Sequence, residues 1–298
     1  MLNIDKIGYL DNNVGMSEPR EGSIIPSPEV NSALNLRFSG ASEKGIKAIV
    51  NRDLVYFNSD EGLAIVLSSY GPNPGGINQM LLDLLVKGNK QVEGRSMREA
   101  EGQMEQMIDG ASEKFVKETQ GVGGCSVTGV KFFEFDGQRA GIIFSAGRTR
   151  FYKFQVQDGR FLDLLTSDGV ISRGKDREMT RDWFKILDQV TTQEEINGLA
   201  PELKRLWDEN MENPLIEFSR QNSIQVLNTP IFEGTKIVLT TPGVHRNLTG
   251  DEMFQAIEET PEPAKALVDL AQQRSQDPTN VRANQRYNHS AVVVEDIS

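Results

Sequence analysis

Asn51-Arg-Asp53, Leu54-Val-Tyr-Phe57, Asn58-Ser-Asp-Glu-Gly62, Leu63-Ala-Ile-Val-Leu67 and Tyr70-Gly-Pro-Asn-Pro-Gly-Gly76 follow one another with little between them. Two apolar runs parted by turn residues read as an antiparallel hairpin, because parallel neighbours need a crossover of about a dozen residues or more. The Gly/Pro cluster ends the second strand. Ile77, Met80, Leu81, Leu84 and Leu85 then recur at helical spacing, with one wide apolar stripe. Strand, strand, helix is therefore the opening unit.

Working outward, Leu34, Leu36 and Phe38 alternate with polar residues, and Ile46 to Val50 gives a further strand signal. A second helix is expected over Met97 to Thr119. Strands are expected at Cys125–Phe135, Arg139–Ser145 and Arg150–Gln155, with Asp136-Gly137 and Asp158-Gly159 as hairpin turns. Thr191-Thr-Gln-Glu-Glu195 reads as a helix start. Strands at Ile224–Leu227 and Lys236–Thr240, helices at Gly250–Glu258 and Pro263–Arg274, and a strand at Ser290–Glu295 complete the order. Paired helices between blocks of antiparallel strands predict a layered α+β sandwich. Residues 1–30, rich in Gly, Ser, Pro and charge, read as an N-terminal extension. Residues 31–298 read as one domain with a helical insertion near 170–225.

Composition narrows the chemistry. The 298 residues carry 32 Lys plus Arg against 43 Asp plus Glu, a net charge of −11, which argues against nucleic acid or an anionic membrane as partner. One cysteine, Cys125, excludes an intrachain disulfide and reads as a buried thiol. His245 and His289 are the only histidines, so a His-rich zinc site is not expected; both read as surface or hydrogen-bonded residues. The N-terminus lacks the pattern of a secretory leader, and no apolar run approaches the roughly 20 residues of a membrane span. The expectation is a cytoplasmic protein. Gly121-Val-Gly-Gly124 reads as a turn, not a phosphate loop, and Asp208 to Glu212 as a solvated helix face.

Six stretches, in one order, carry a resemblance. Asn51-Arg-Asp53 with Gly62 to Gly76, Gly124-Cys-Ser-Val-Thr128, Phe144-Ser-Ala-Gly-Arg-Thr-Arg-Phe-Tyr152, Asp158-Gly159 with Leu165-Thr-Ser-Asp168, Val238-Leu-Thr-Thr-Pro-Gly-Val244 and Tyr287-Asn-His-Ser-Ala-Val-Val-Val294 resemble the metal-dependent protein phosphatases (PPM type, type 2C serine/threonine phosphatases). The resemblance implies a four-layer α-β-β-α sandwich of two antiparallel sheets flanked by helices. It also implies an ancestral site of two Mg²⁺ or Mn²⁺ ions held by four aspartates, which would activate a bridging water. In this chain the four positions hold Asp53, Ser68, Pro242 and Tyr287. The glycine that lends a carbonyl is Ser69. An aspartate linked to a third metal is Arg148, and the phosphate-contacting arginine is matched by Lys47. Three neutral side chains in place of three acids leave the repulsion between two dications poorly offset.

The resemblance therefore implies a catalytically inactive phosphatase-like protein, a binding or regulatory module without catalytic residues, resident metal or other cofactor. Its partner would be another protein, in one version a phosphorylated segment held by Lys47 and Arg148. Asp53 reads either as a remnant ligand or as a strand-start Asp bonded to a turn, and Arg148 as a stand-in cation beside it or as a solvated strand-edge residue. Two alternatives stand beside this reading. One is a divergent phosphatase that holds Mg or Mn through other acids such as Asp60, Glu61 or Asp251; the other is a structural subunit of a larger assembly.

Overall fold

A computed structural model describes residues 23–120, 122–156, 160–164, 186–187, 189–212, 225–258, 260–283 and 287–298. The strands are β1 Ser23–Ile24, β2 Glu29–Asn31, β3 Leu36–Glu43, β4 Asp53–Asn58, β5 Leu63–Tyr70, β6 Gly124–Phe135, β7 Gln138–Ala146, β8 Arg150–Val156, β9 Arg160–Leu164, β10 Gln225–Pro230, β11 Lys236–Thr240 and β12 His289–Asp296. The helices are α1 Pro74–Asn89, α2 Met97–Thr119, α3 Gln193–Gly198, α4 Pro201–Glu212, α5 Pro242–His245, α6 Gly250–Glu258 and α7 Pro263–Gln276.

Two antiparallel sheets result. One runs β1-β3-β12-β11-β8-β9, with β2 also on the outer edge of β3, and the other runs β10-β7-β6-β5-β4. The strand patterns explain the layers. In β5, Leu63, Ile65 and Leu67 face α1 and α2, while Ala64 and Val66 face the other sheet. In β12, Val292 and Val294 point between the sheets, and Ala291 and Val293 point to α6 and α7. Both faces of these strands are covered, so their sequence is a continuous apolar run rather than an alternation. The three apolar clusters fill the three interlayer spaces of an α-β-β-α sandwich.

Local chemistry sets the helix ends. Ser96 caps α2 by accepting from the Glu99 N–H, and Gln120 closes it at φ 52°. Thr192 and Glu195 form a reciprocal capping box on α3.

Three expectations change. Ile46–Val50 is an exposed loop, not a strand; its polar flanks are tied down by Asn288 and Ser42 instead of by a ladder. The folded unit starts before residue 31, because β1 and β2 pair with β3. The described part of the helical insertion is core rather than appendage. Leu187, Val190, Ile196 and Trp207 are buried against the α6–α7 layer. Arg282 fastens them there: it donates to the carbonyls of Leu187 (2.8 Å) and Val190 (2.9 Å) and lies over the Trp207 ring. The hairpin turn at 158–159 and the stretch Leu165–Asp168 lie outside the described residues. No described helix is long and apolar enough to cross a membrane.

Candidate functional site

The positions singled out by the phosphatase resemblance gather at one end of the sandwich, where β4, β5 and β6 come together with the ends of β11 and β12. Asp53 opens β4, its N–H donating to Asn51 Oδ1 at 3.0 Å. Ser68 lies opposite it on β5, and Ser126 lies opposite Ser68 on β6. The strand register thus sets an acid and two hydroxyls in one row.

Asp53 is buried, and hydroxyls occupy both its oxygens. Ser68 Oγ donates to Oδ1 and Thr241 Oγ1 to Oδ2, each at 2.7 Å. Thr241 also accepts from the Ser290 N–H, and the Ser290 hydroxyl meets Ser42 at 2.7 Å. Burial pushes the Asp53 carboxyl up to about 6, against the lowering effect of the Thr241, Ser68 and Ser290 hydroxyls. Asp53 makes no ion pair among the described residues, so Arg148 does not stand in for a cation beside it. Asp53 does stand at a strand start, but its side chain bonds Ser68 on β5 and Thr241 at the head of α5 rather than a turn.

The other ancestral positions have taken structural work. Ser69 Oγ bonds the carbonyls of Pro74 (2.7 Å) and Arg52 (3.2 Å), joining β5 to the start of α1. Pro242 begins α5, with Thr241 as N-cap residue. The next residue must be glycine, since a Cβ on Gly243 would sit 1.8 Å from the Asn288 carbonyl oxygen. The Tyr287 hydroxyl accepts from Arg246 Nη1 at 2.8 Å, and its ring lies 4.8 Å beneath the same guanidinium. Arg148 is buried in the β7–β8 turn rather than solvated at a strand edge, its N–H donating to Ser126 Oγ at 3.1 Å. Lys47 stands exposed on the β3–β4 loop. The buried Arg148 and the exposed Lys47 do not form one surface.

Both histidines are buried. His245 is hydrogen-bonded, one of the two outcomes expected, its Nδ1 lying 3.0 Å from Thr240 Oγ1. His289 is neither at the surface nor hydrogen-bonded through its ring among the described residues. Burial, then the charges of Arg150, Arg246, Arg282 and Arg148, hold His245 well below the usual imidazole range. Burial alone lowers His289 to about 4. Cys125 is buried as expected, its thiol donating to Asn78 Oδ1 at 3.3 Å, and burial pushes its pKa far up.

The alternative acids do not converge on Asp53. Asp60 and Glu61 lie in the β4–β5 turn, the far end of a strand about 17 Å long. Asp251 is exposed at the start of α6. Among the described residues no three His, Cys, Asp or Glu side chains form a group able to hold a metal. The Mg²⁺ or Mn²⁺ pair implied by the resemblance does not fit these residues: the one acid accepts hydroxyl donors on both oxygens, Pro242 offers no side-chain oxygen, and Tyr287 is engaged by a cation.

Sequence reasoning missed Thr241, Ser290 and the arginines at 150, 246 and 282. Thr241, Ser290 and Arg150 had a signal, lying inside the quoted motif stretches; Arg246 and Arg282 lie outside them.

No family model and no curated protein matches the chain. Solved structures do. PppA, a key regulatory component of the T6SS in Pseudomonas aeruginosa, is similar at 15% identity and TM-score 0.60, over 87% of this chain and 96% of its own. The PPM Ser-Thr phosphatase MsPP from Mycobacterium smegmatis is similar at 16% identity and TM-score 0.58, over 88% and 98%. The S. agalactiae serine/threonine phosphatase is similar at 17% identity and TM-score 0.61, over 87% and 98%. The chain has the fold of the PPM-type serine/threonine phosphatases. Within that fold it keeps one of the four ligand aspartates that the resemblance implies, and that one is hydrogen-bonded within the protein.

Proposed function

We infer that the chain is a pseudophosphatase, a phosphatase-like protein that binds another protein and regulates it without hydrolysing phosphate esters. The observation that carries this reading is that hydroxyls of Ser68 and Thr241 donate to both oxygens of Asp53. A metal ion would have to displace these donors for a single carboxylate, with no second acid grouped beside it among the described residues. The similarity to PppA, a regulatory component, supports a regulatory role. The rim of the former metal cleft is the favoured contact surface, because the described insertion helices are committed to the core. Resident metal and other cofactors are absent from this reading, and its setting is the cytoplasm.

The test is hydrolysis of p-nitrophenyl phosphate with and without millimolar Mn²⁺. The expected result is no metal-dependent turnover above that of Asp53→Asn. A Mn²⁺-dependent rate that Asp53→Asn abolishes would return the protein to the enzymes.

A further inference from the structure

The loop between β3 and β4 is an exposed basic stretch in an acidic chain. From Lys44 to Arg52 it carries three cations, Lys44, Lys47 and Arg52, and no acid. All three are exposed, and none makes an ion pair among the described residues. Between them stand Ile46, Ile49 and Val50, exposed at 48%, 85% and 44%. Apolar side chains this bare, clustered on one short loop, have a cost in water that a partner would relieve.

The loop is held at both ends. The Gly45 N–H donates to Asn288 Oδ1 at 3.1 Å, and a β-turn closes from the Ala48 N–H to the Gly45 carbonyl at 2.9 Å. Asn51 Nδ2 reaches Ser42 Oγ at 2.9 Å, and the Arg52 carbonyl accepts from Asn78 Nδ2, also at 2.9 Å. These anchors belong to the same network that surrounds Asp53, so the loop forms part of the rim of the former metal cleft. A surface fastened in this way loses little conformational freedom on binding.

We propose that this loop is the docking element of the protein, and that its occupant is an unphosphorylated segment of a partner protein bearing carboxylates interleaved with aliphatic side chains. The cations select for carboxylates, and Ile46, Ile49 and Val50 select for aliphatic neighbours rather than for a phosphate backbone. A membrane or nucleic acid is disfavoured because the whole chain, at −11, repels an extended polyanion. The assignment rests on the non-catalytic reading for the availability of the cleft rim.

The experiment selects a random twelve-residue peptide library, displayed on phage, against the purified protein, with parallel selection on a Lys44→Glu/Lys47→Glu/Ile49→Asp variant. Enrichment of Asp/Glu together with Leu/Ile/Val is expected on the wild type only. A synthetic peptide of the enriched sequence should bind at least tenfold more weakly to the variant by fluorescence anisotropy. If the triple variant does not fold, Ile49→Ser alone takes its place, with at least a threefold loss expected. No enrichment, enrichment of another chemistry, or equal binding by the variants would overturn the proposal. So would flotation with phosphatidylcholine–phosphatidylserine vesicles that the variant loses. Mn²⁺-dependent phosphatase turnover would sink the non-catalytic reading while leaving the peptide result readable.

Discussion

Strand β12 runs from one end of the sandwich to the other, and its two ends solve the same electrostatic problem differently. At the far end, Glu295 pairs with Arg37 at 2.5 Å and Lys236 at 3.1 Å, and the buried Asp296 pairs with Arg139 at 2.6 Å. Burial tends to raise the Asp296 carboxyl, but the Arg139 and Ser298 contacts outweigh it and hold it below the usual range. At the cleft end, Ser290 meets the hydroxyls of Ser42 and Thr241, and the Asp53 side chain meets only hydroxyl donors and is raised. Carboxylates persist where they join strands and are missing where two dications would need them. The contrast separates acids that join strands from positions where the phosphatase resemblance implies acids and this chain has none.

The largest effect should come from making the cleft end acidic again. Ser68→Asp, Pro242→Asp and Tyr287→Asp together should destabilise the metal-free protein by about 5 kcal/mol, since buried like charges lack counterions. Calorimetry should then show Mn²⁺ raising Tm in this variant and leaving the wild type unchanged. A Mn²⁺-dependent Tm in the wild type would break the contrast.

Asp53 gives the next effect, with a defined sign. Its folded pKa of about 6 lies above the ordinary 3.8. Its contribution to stability is therefore complete below pH 3.8 and is lost as the pH rises through 6, a change of about 3 kcal/mol. His289 opposes it in the same window: lowered from 6.5 to about 4, it contributes above pH 6.5 and loses that contribution as the pH falls through 4. Stability measured from pH 4 to 7 should climb more steeply in Asp53→Asn than in the wild type; a parallel profile would deny the burial of the charge. At the far end, Arg139→Ala removes the ion pair of Asp296 but leaves its bonds from Gly234 and Ser298, and should cost about 1–2 kcal/mol in urea unfolding. The smallest expected effect is Ile49→Ser, within about 0.5 kcal/mol, because an 85% exposed side chain on a loop has little to lose.

The layers were legible in the sequence because helices wrote their period and strands showed either an alternation or, as in β5 and β12, a short apolar run bounded by turn residues. Lys236–Thr240 and Gly250–Glu258 agree residue for residue, and Pro263 marks the start of α7. Ile46–Val50 misled because β-branched residues favour strands only where a partner strand exists, and this segment has none. At the site, substituted ligands could be read singly from their motifs. The Asp53–Thr241 bond spans 188 positions, and the arginines around His245 come from separate elements. No local pattern encodes such meetings; the register of β3, β11 and β12 does.

That register also orders events in time. β12 is an interior strand, between β3 and β11, although it lies some 250 residues after β3. β3 and β11 can be joined in one sheet only once residues 289–296 have been made and inserted between them. The cleft end can be assembled only then, since Ser290 arrives with the same strand. The hydroxyl network around Asp53 therefore closes only after β12 has joined β3 and β11.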